Sequence, residues 1–334
     1  MKRILMIGTG GTIASEMTPD GLSPELTPAQ LLRAVPSISS LCEVDCLSLF
    51  SIDSTNITPA HYLRIAGAIC EHYGHYDGFV ISHGTDTMAY TAAALSYLIQ
   101  YSPKPIVLTG AQKPILFENT DSKTNLVDAF RVAVSDLCGV VIVFNGRVIL
   151  GTRARKTHTT SLQAFSSINY PSLAVLQNGF LMEYIRPTSL PAPIFYNKLN
   201  SRVGLMKMIP GADCMLLSYL LEHNDAVIVE SYGVGGLPSY QGSGFFDVIR
   251  SAIARGKTIV MTTQVQNEGS NLAVYDVGFH LKNDLHLLEA YDMTTEAALA
   301  KLMWILGQTD DPAEVRRLFC TPISHDLLYL KEDA

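Results

Sequence analysis

The sequence predicts an α/β protein with a larger N-terminal three-layer domain, containing a mostly parallel sheet and a β-hairpin, and a smaller C-terminal three-layer parallel α/β domain. Three observations predict it. Short β-branched and apolar runs alternate with segments of helical period along most of the chain. At 334 residues the chain exceeds the usual size of one domain. A Pro-rich stretch, Arg186-Pro-Thr-Ser-Leu-Pro-Ala-Pro193, interrupts the alternation, because proline neither completes a strand ladder nor sits inside a helix. The expected boundaries are therefore 1–185 for the first domain, 186–200 for a linker and 201–334 for the second.

The elements follow in order. A first strand is expected over 2–7, ended by a Gly/Thr-rich turn that begins at Gly8. Thr27-Pro28 and Thr58-Pro59 announce helices over 29–35 and 60–72, with threonine as the cap and proline in the first turn. Apolar runs at 78–82, 104–109 and 139–144 read as buried strands. Between them, Met88, Ala92, Leu95 and Leu98 share one helical face, as do Leu126, Ala129, Phe130 and Ala133. Asn145-Gly146 between two apolar runs signals a hairpin with a type I′ turn. Beyond the linker, strands are expected at 203–209, 226–231 and 257–263, and helices at 213–222, 244–255, 295–306 and 312–319.

Composition narrows the function. Hydrophobic residues make up 48% and charged residues 16%, which excludes a disordered chain. Lys and Arg number 24 against 31 Asp and Glu, a net charge of −7 with no basic run, so no nucleic-acid partner is expected. Six cysteines are scattered without a CxxC pair, so neither a zinc site nor a disulfide framework is expected. No metal or cofactor is expected at all. The apolar run after Met1-Lys-Arg stops at Gly8, which reads as a first strand and not a signal peptide; the expectation is a cytoplasmic protein without a membrane span.

Ligands of open parallel sheets bind beyond the carboxyl ends of the strands. Those positions here are rich in hydroxyls: Gly8-Thr-Gly-Gly-Thr12, Asp53-Ser-Thr55, Ser82-His-Gly-Thr-Asp-Thr87 and Thr109-Gly-Ala-Gln112. The first turn is not a dinucleotide fingerprint, because Ile13 stands where a small residue is needed, and it lacks the Gly-Lys-Ser/Thr of a phosphate loop. It can instead bring backbone N–H groups and the Thr12 hydroxyl to a small ligand. Taken alone, Thr85 and Asp86 read as helix caps, His83 as a structural histidine, and Arg153-Ala-Arg-Lys-Thr-His-Thr-Thr160 as a solvated surface. A desolvated lysine beside threonine hydroxyls has another use, taking a proton from a hydroxyl.

Together these segments resemble the bacterial-type L-asparaginase/glutaminase family, most closely its cytoplasmic type I branch. The resemblance is carried by Thr9-Gly-Gly-Thr-Ile-Ala14, by Gly78-Phe-Val-Ile-Ser-His-Gly-Thr-Asp-Thr-Met88, and by Arg155-Lys-Thr157, with Tyr232-Gly-Val-Gly-Gly236 and Asp292-Met-Thr-Thr-Glu-Ala297 later in the chain. It implies hydrolysis of L-asparagine to L-aspartate and ammonia by double displacement. Thr12 would be the nucleophile, and Thr85 with Lys156 and Asp86 the activating group. Gly11, Ser54, Thr55, Gly84, Thr85, Asp86 and the backbone at Ala111 would bind substrate. It also implies a homodimer, or a tetramer built as a dimer of dimers.

One departure stands out. Relatives often carry a tyrosine in the loop after the first signature, and residues 15–30 here contain none; Leu22 follows Gly21 instead. Tyr275, in Ala273-Val-Tyr-Asp-Val-Gly278, matches the tyrosine that some type I relatives bring from the C-terminal domain to the nucleophile, and by that resemblance would activate Thr12. Pro19, Gly21 and Pro24 disfavour regular structure, so this loop is expected to be an irregular lid. The alternatives are a mixed glutaminase/asparaginase acting also on L-glutamine, a non-catalytic amino-acid-binding regulatory protein, and one component of a tRNA-dependent amidotransferase. The last is disfavoured on the expectation of an extra N-terminal domain, since the first strand begins at residue 2.

Overall fold

The computed structural model describes residues 1–19, 21–185, 191–240, 242–274, 285 and 287–328. The chain divides into two compact units, Met1–Asn197 and Lys198–Ala334. Of the expected linker, residues 186–190 lie outside the described residues, and Ile194–Phe195 pairs with a strand of the first unit.

The first unit contains β1 (Arg3–Gly10), β2 (Ser15–Thr18), β3 (Gly21–Pro24), β4 (Glu43–Ile52), β5 (Gly78–Ser82), β6 (Ile99–Gln100) and β7 (Pro105–Thr109). It continues with β8 (Gly139–Phe144), β9 (Arg147–Leu150), β10 (Ala154–Lys156), β11 (Phe165–Ser167), β12 (Ala174–Gln177), β13 (Phe180–Glu183) and β14 (Ile194–Phe195). Eight of these form one sheet in the order β13-β12-β9-β8-β7-β5-β1-β4. From β8 to β4 the neighbours are parallel, whereas β9, β12 and β13 extend the sheet antiparallel. The turn that reverses direction is Asn145-Gly146, both at positive φ as a type I′ turn requires.

Strand side chains alternate between the two faces. Ile4, Met6, Val80, Val107, Val141 and Val143 pack on one face against Leu31 and against Leu126, Ala129 and Phe130 of the helix Ser122–Ala133. Leu5, Ile7, Phe79, Ile81, Ile106 and Leu108 point the other way and are equally buried. The helix Met88–Leu98 covers that second face, and ten of its eleven residues are buried, which is why it carries almost no amphipathic signal. The three layers are those expected.

The segment after the first turn differs from expectation. Ser15–Thr18 and Gly21–Pro24 pair as two antiparallel strands, β2 with β3, in place of an irregular loop. Its breakers sit where a hairpin tolerates them. Gly21 takes φ +118° at the turn, whose ends are joined by the Thr18 hydroxyl donating to the Gly21 carbonyl at 2.7 Å, and Pro24 stands at the strand end.

The second unit contains β15 (Val203–Lys207), β16 (Ala226–Ser231), β17 (Thr258–Thr263) and β18 (Leu288–Glu289), parallel throughout and in that spatial order. Leu217, Leu221, Phe245, Ile249 and Ala252, from the helices Cys214–His223 and Phe245–Ala254, pack with Val227, Val229, Ile259 and Met261 on one face. The helix Thr295–Gln308 lies against β15 and β16. It is capped by Thr294, whose side chain accepts from the Ala297 N–H at 3.0 Å.

Candidate active site

The turns after β1, β4 and β5 converge because glycine lets their backbones touch. Gly11, at φ +79°, would place a Cβ 2.3 Å from the Gly84 nitrogen, and a Cβ on Gly84 would fall 2.6 Å from the Ser54 hydroxyl. Any side chain at either glycine would force the turns apart. The Gly11 N–H donates to the Ile52 carbonyl at 3.1 Å, and the Thr87 hydroxyl donates to the Ser54 carbonyl at 2.8 Å. Thr12, Ser54 and Thr85 are thus held around one small region at the carboxyl edge of the sheet.

Each side chain there has a distinct state. Thr12 opens a single 3-10 turn, half-buried, and among the described residues its hydroxyl has no hydrogen-bond partner. Ser54 is buried, and its hydroxyl also has none among the described residues. Thr55 is exposed, and both its N–H and its hydroxyl donate to Asp53 Oδ1 at 2.8 Å, so its donors are spent within the turn that carries Ser54. Ala111 follows β7 and is buried. Tyr275, expected near the nucleophile, lies outside the described residues.

Lys156 supplies the long-range link. It ends β10, which pairs antiparallel with β11, and its Nζ donates to Thr85 Oγ1 at 2.8 Å and to Asp86 Oδ1 at 2.6 Å across 71 and 70 positions of sequence. The lysine side chain is 17% exposed and the aspartate 57%. Thr85 itself is buried. The lysine therefore meets its partners in a shielded place while the aspartate keeps one face open to a ligand. The reading of 153–160 as a solvated surface holds only for the exposed residues 158–160; Arg153 is fully buried with its guanidinium 5.7 Å from the Tyr170 ring centre.

Around this group the scaffold is tight. His83 is fully buried; its Nδ1 lies 2.7 Å from the Gly84 carbonyl and its Nε2 2.9 Å from the Thr91 hydroxyl. Burial pushes its pKa down to about 4, against the opposing effect of the Gly84 carbonyl. A neutral ring that donates from Nδ1 and accepts at Nε2 fits both partners, so His83 braces Gly84. Thr85 and Asp86 precede the helix Met88–Leu98, whose cap position is Thr87, so neither acts as its cap.

Sequence reasoning gave no role to Gln112. Its Oε1 accepts from the Thr85 hydroxyl at 3.4 Å, and its Nε2 donates to the carbonyls of Thr159 and Ser161 at 3.0 Å each. The available signal was its place just after β7, at the same sheet edge. Among the described residues no group of three His, Cys, Asp or Glu side chains could hold a metal ion, and no helix is long and apolar enough to cross a membrane.

Likeness to known proteins bears on this arrangement. The family model described as "Asparaginase, N-terminal" matches residues 3–187, and that described as "Glutaminase/Asparaginase C-terminal domain" matches residues 202–319. The chain belongs to the asparaginase family. It is 37% identical over 318 residues to an L-asparaginase of Thermococcus kodakarensis, covering 95% of this chain and 96% of that one. It is also 35% identical to a glutamyl-tRNA(Gln) amidotransferase component of Pyrococcus furiosus, covering 95% of this chain and 75% of that one. Among solved structures, the thermostable L-asparaginase from Thermococcus kodakarensis superposes with a TM-score of 0.91 at 35% identity over 98% of this chain and all of that one. L-asparaginase I from Vibrio cholerae gives 0.84 at 30% identity, covering 98% and 99%.

Proposed function

We propose that this chain hydrolyses the side-chain amide of L-asparagine, giving L-aspartate and ammonia through a covalent threonine ester. The observation that carries the reading is Lys156 Nζ bridging Thr85 Oγ1 and Asp86 Oδ1 beside the turn that bears Thr12. The Thr12 oxygen attacks the amide carbon and gives up its proton, the C–N bond breaks, and ammonia leaves with an added proton. Water then attacks the β-aspartyl ester, the C–O bond breaks, and Thr12 recovers its hydroxyl. Lys156 and Thr85 form the proton-handling pair for these transfers. Gly11, whose own N–H is held by the Ile52 carbonyl, serves by shaping the turn that presents Thr12 to the substrate.

Recognition follows from charge. The open oxygen of Asp86 suits the substrate α-ammonium, and the Ser54 hydroxyl with the main chain at Gly84 suits the α-carboxylate, while Thr55 shapes the turn. Ala111 lines the amide side. L-glutamine is the competing substrate, longer by one methylene, a difference worth about 1–3 kcal/mol in a fitted pocket. The family resemblance supports a cytoplasmic homodimer or a dimer of dimers, which light scattering tests.

The test is ammonia release from L-asparagine and L-glutamine by the wild type and by Thr12→Ala. Release that disappears in the variant supports the reading; a fully active variant removes Thr12 as nucleophile. The identity to the amidotransferase component keeps one second reading in view. A wild-type chain that binds L-aspartate yet turns over neither free amide would favour that reading.

A further inference from the structure

Gln112 ties together three segments around Thr85, and the chemistry proposed above leaves it unused. Its own backbone is clamped. Gln112 N–H and Lys113 N–H donate to the Asp121 carboxylate at 2.9 and 3.0 Å, and Asn125 Nδ2 donates to Asp121 at 3.2 Å and to the Gly110 carbonyl at 3.0 Å. Gly110 in turn abuts His83, where a Cβ would stand 2.3 Å from the carbonyl oxygen. The side chain thus projects from a backbone tied by hydrogen bonds to Asp121 and by the close approach of Gly110 to His83.

A primary amide has one acceptor end and two N–H donors. Both donors are spent on the Thr159 and Ser161 carbonyls. A flipped amide would aim its oxygen at two carbonyl oxygens, so the orientation is determined and Oε1 must face Thr85. The Thr85 hydroxyl has a single proton. While Lys156 donates to its oxygen at 2.8 Å, that proton must point elsewhere, and Gln112 Oε1 receives it at 3.4 Å. A bond of that length is weak, so the proton leaves it at small cost.

We propose that Gln112 is a positioning residue that holds the Thr85 hydroxyl proton while Lys156 is an ammonium, and releases it toward Lys156 when the lysine becomes the acceptor. The proposal rests on the reading of Thr85 and Lys156 as the proton-handling pair. The Gln112 acceptor is needed only while Lys156 donates, because only then must the Thr85 proton point away from the lysine. The other charged groups around the pair are Asp86 on Lys156, Arg155 before it, His158 bonded to Thr157, and Lys113 and Asp121 on the turn of Gln112.

The test is the pH dependence of kcat for ammonia release from L-asparagine, measured for the wild type, Gln112→Met and Gln112→Glu, with a thermal melt of each. Gln112→Met lacks the acceptor, and the acid limb of its profile moves to lower pH by about half a unit; Gln112→Glu loses both donors to the Thr159 and Ser161 carbonyls but brings a negative charge beside the ammonium, and its limb moves to higher pH by at least as much. KM stays within about twofold, since Gln112 does not bind substrate in this scheme. Limbs that superpose on the wild type, or that move in the same direction, overturn the proposal while leaving the proposed activity standing. A silent wild type overturns both. If Gln112→Met does not fold, an unshifted limb in Gln112→Glu is sufficient to overturn it.

Discussion

Each unit of this chain contains a Lys–Asp pair of similar length set in a very different environment. Lys156 and Asp86 meet at 2.6 Å with side chains 17% and 57% exposed; Lys301 and Asp326 meet at 2.8 Å and are both wholly buried. In the second pair every group faces another part of its own unit. Lys301 also donates to the Thr321 carbonyl at 2.8 Å and stands 5.6 Å from the Phe319 ring centre, and Asp326 accepts from the Ile323 N–H at 2.8 Å. Burial pulls the Lys301 amine below its usual range, with Asp326 opposing. In the first pair the lysine reaches a hydroxyl, and the aspartate keeps an oxygen open. Length alone therefore says nothing about what a pair does. The informative features are an accessible lone pair or proton and the cost of removing one partner.

Exchanging the lysines breaks the comparison most sharply. Lys156→Met is expected to lower kcat about 10³-fold while the melting temperature barely moves. Lys301→Met should do the reverse, costing about 3–5 kcal/mol by stranding a buried carboxylate, and adding Asp326→Leu should recover most of the loss. Denaturant unfolding beside steady-state kinetics reads both, and a destabilised Lys156→Met or a stable Lys301→Met would erase the distinction. Next in size, Gly84→Ala puts a methyl 2.6 Å from the Ser54 hydroxyl and should lower kcat/KM about 10²-fold, with a stability loss of about 1–3 kcal/mol.

His83 sharpens the comparison through pH. Its folded pKa of about 4 lies below the 6.5 of the exposed ring, so the unfolded chain takes up the proton first. Stability is then full above about pH 6.5 and declines as the pH falls toward 4, by an amount on the order of 3 kcal/mol. His83→Asn should lack that part of the slope in urea melts taken across this range; parallel slopes would show that the ring does not titrate there. The smallest effect belongs to the exposed pair Arg250 and Asp247, 3.2 Å apart with side chains 66% and 85% exposed. Asp247→Asn should change stability by less than about 0.5 kcal/mol, detectable only by careful calorimetry.

Much of the framework was legible in advance for a plain reason. Strands β5, β8 and β16 are short apolar runs bounded by turn residues, and they begin and end where the sequence predicts. The hairpin turn at Asn145-Gly146 was equally clear, because its residues tolerate positive φ. The hairpin of β2 and β3 and the strands β10 to β13 were not, because their three- and four-residue segments mix polar and apolar side chains and owe their pairing to neighbours. Arg153 misled for a related reason: a buried guanidinium looks like any other arginine until its ring partner is known.

The sequence by itself determined the kinds of group available at the sheet edge, hydroxyls, glycines and aspartates after successive strands, because a parallel strand delivers its next residues to that edge wherever the strand lies. Only the tertiary structure decided which groups meet. Lys156 comes from an antiparallel pair outside the main sheet and reaches Thr85 across 71 positions, and Gln112 joins Thr85 to carbonyls 47 and 49 positions beyond itself. A hydrogen bond acts only over about 3 Å and depends on direction, so its partners are set by strand order and the packing of turns, which separation along the chain does not encode.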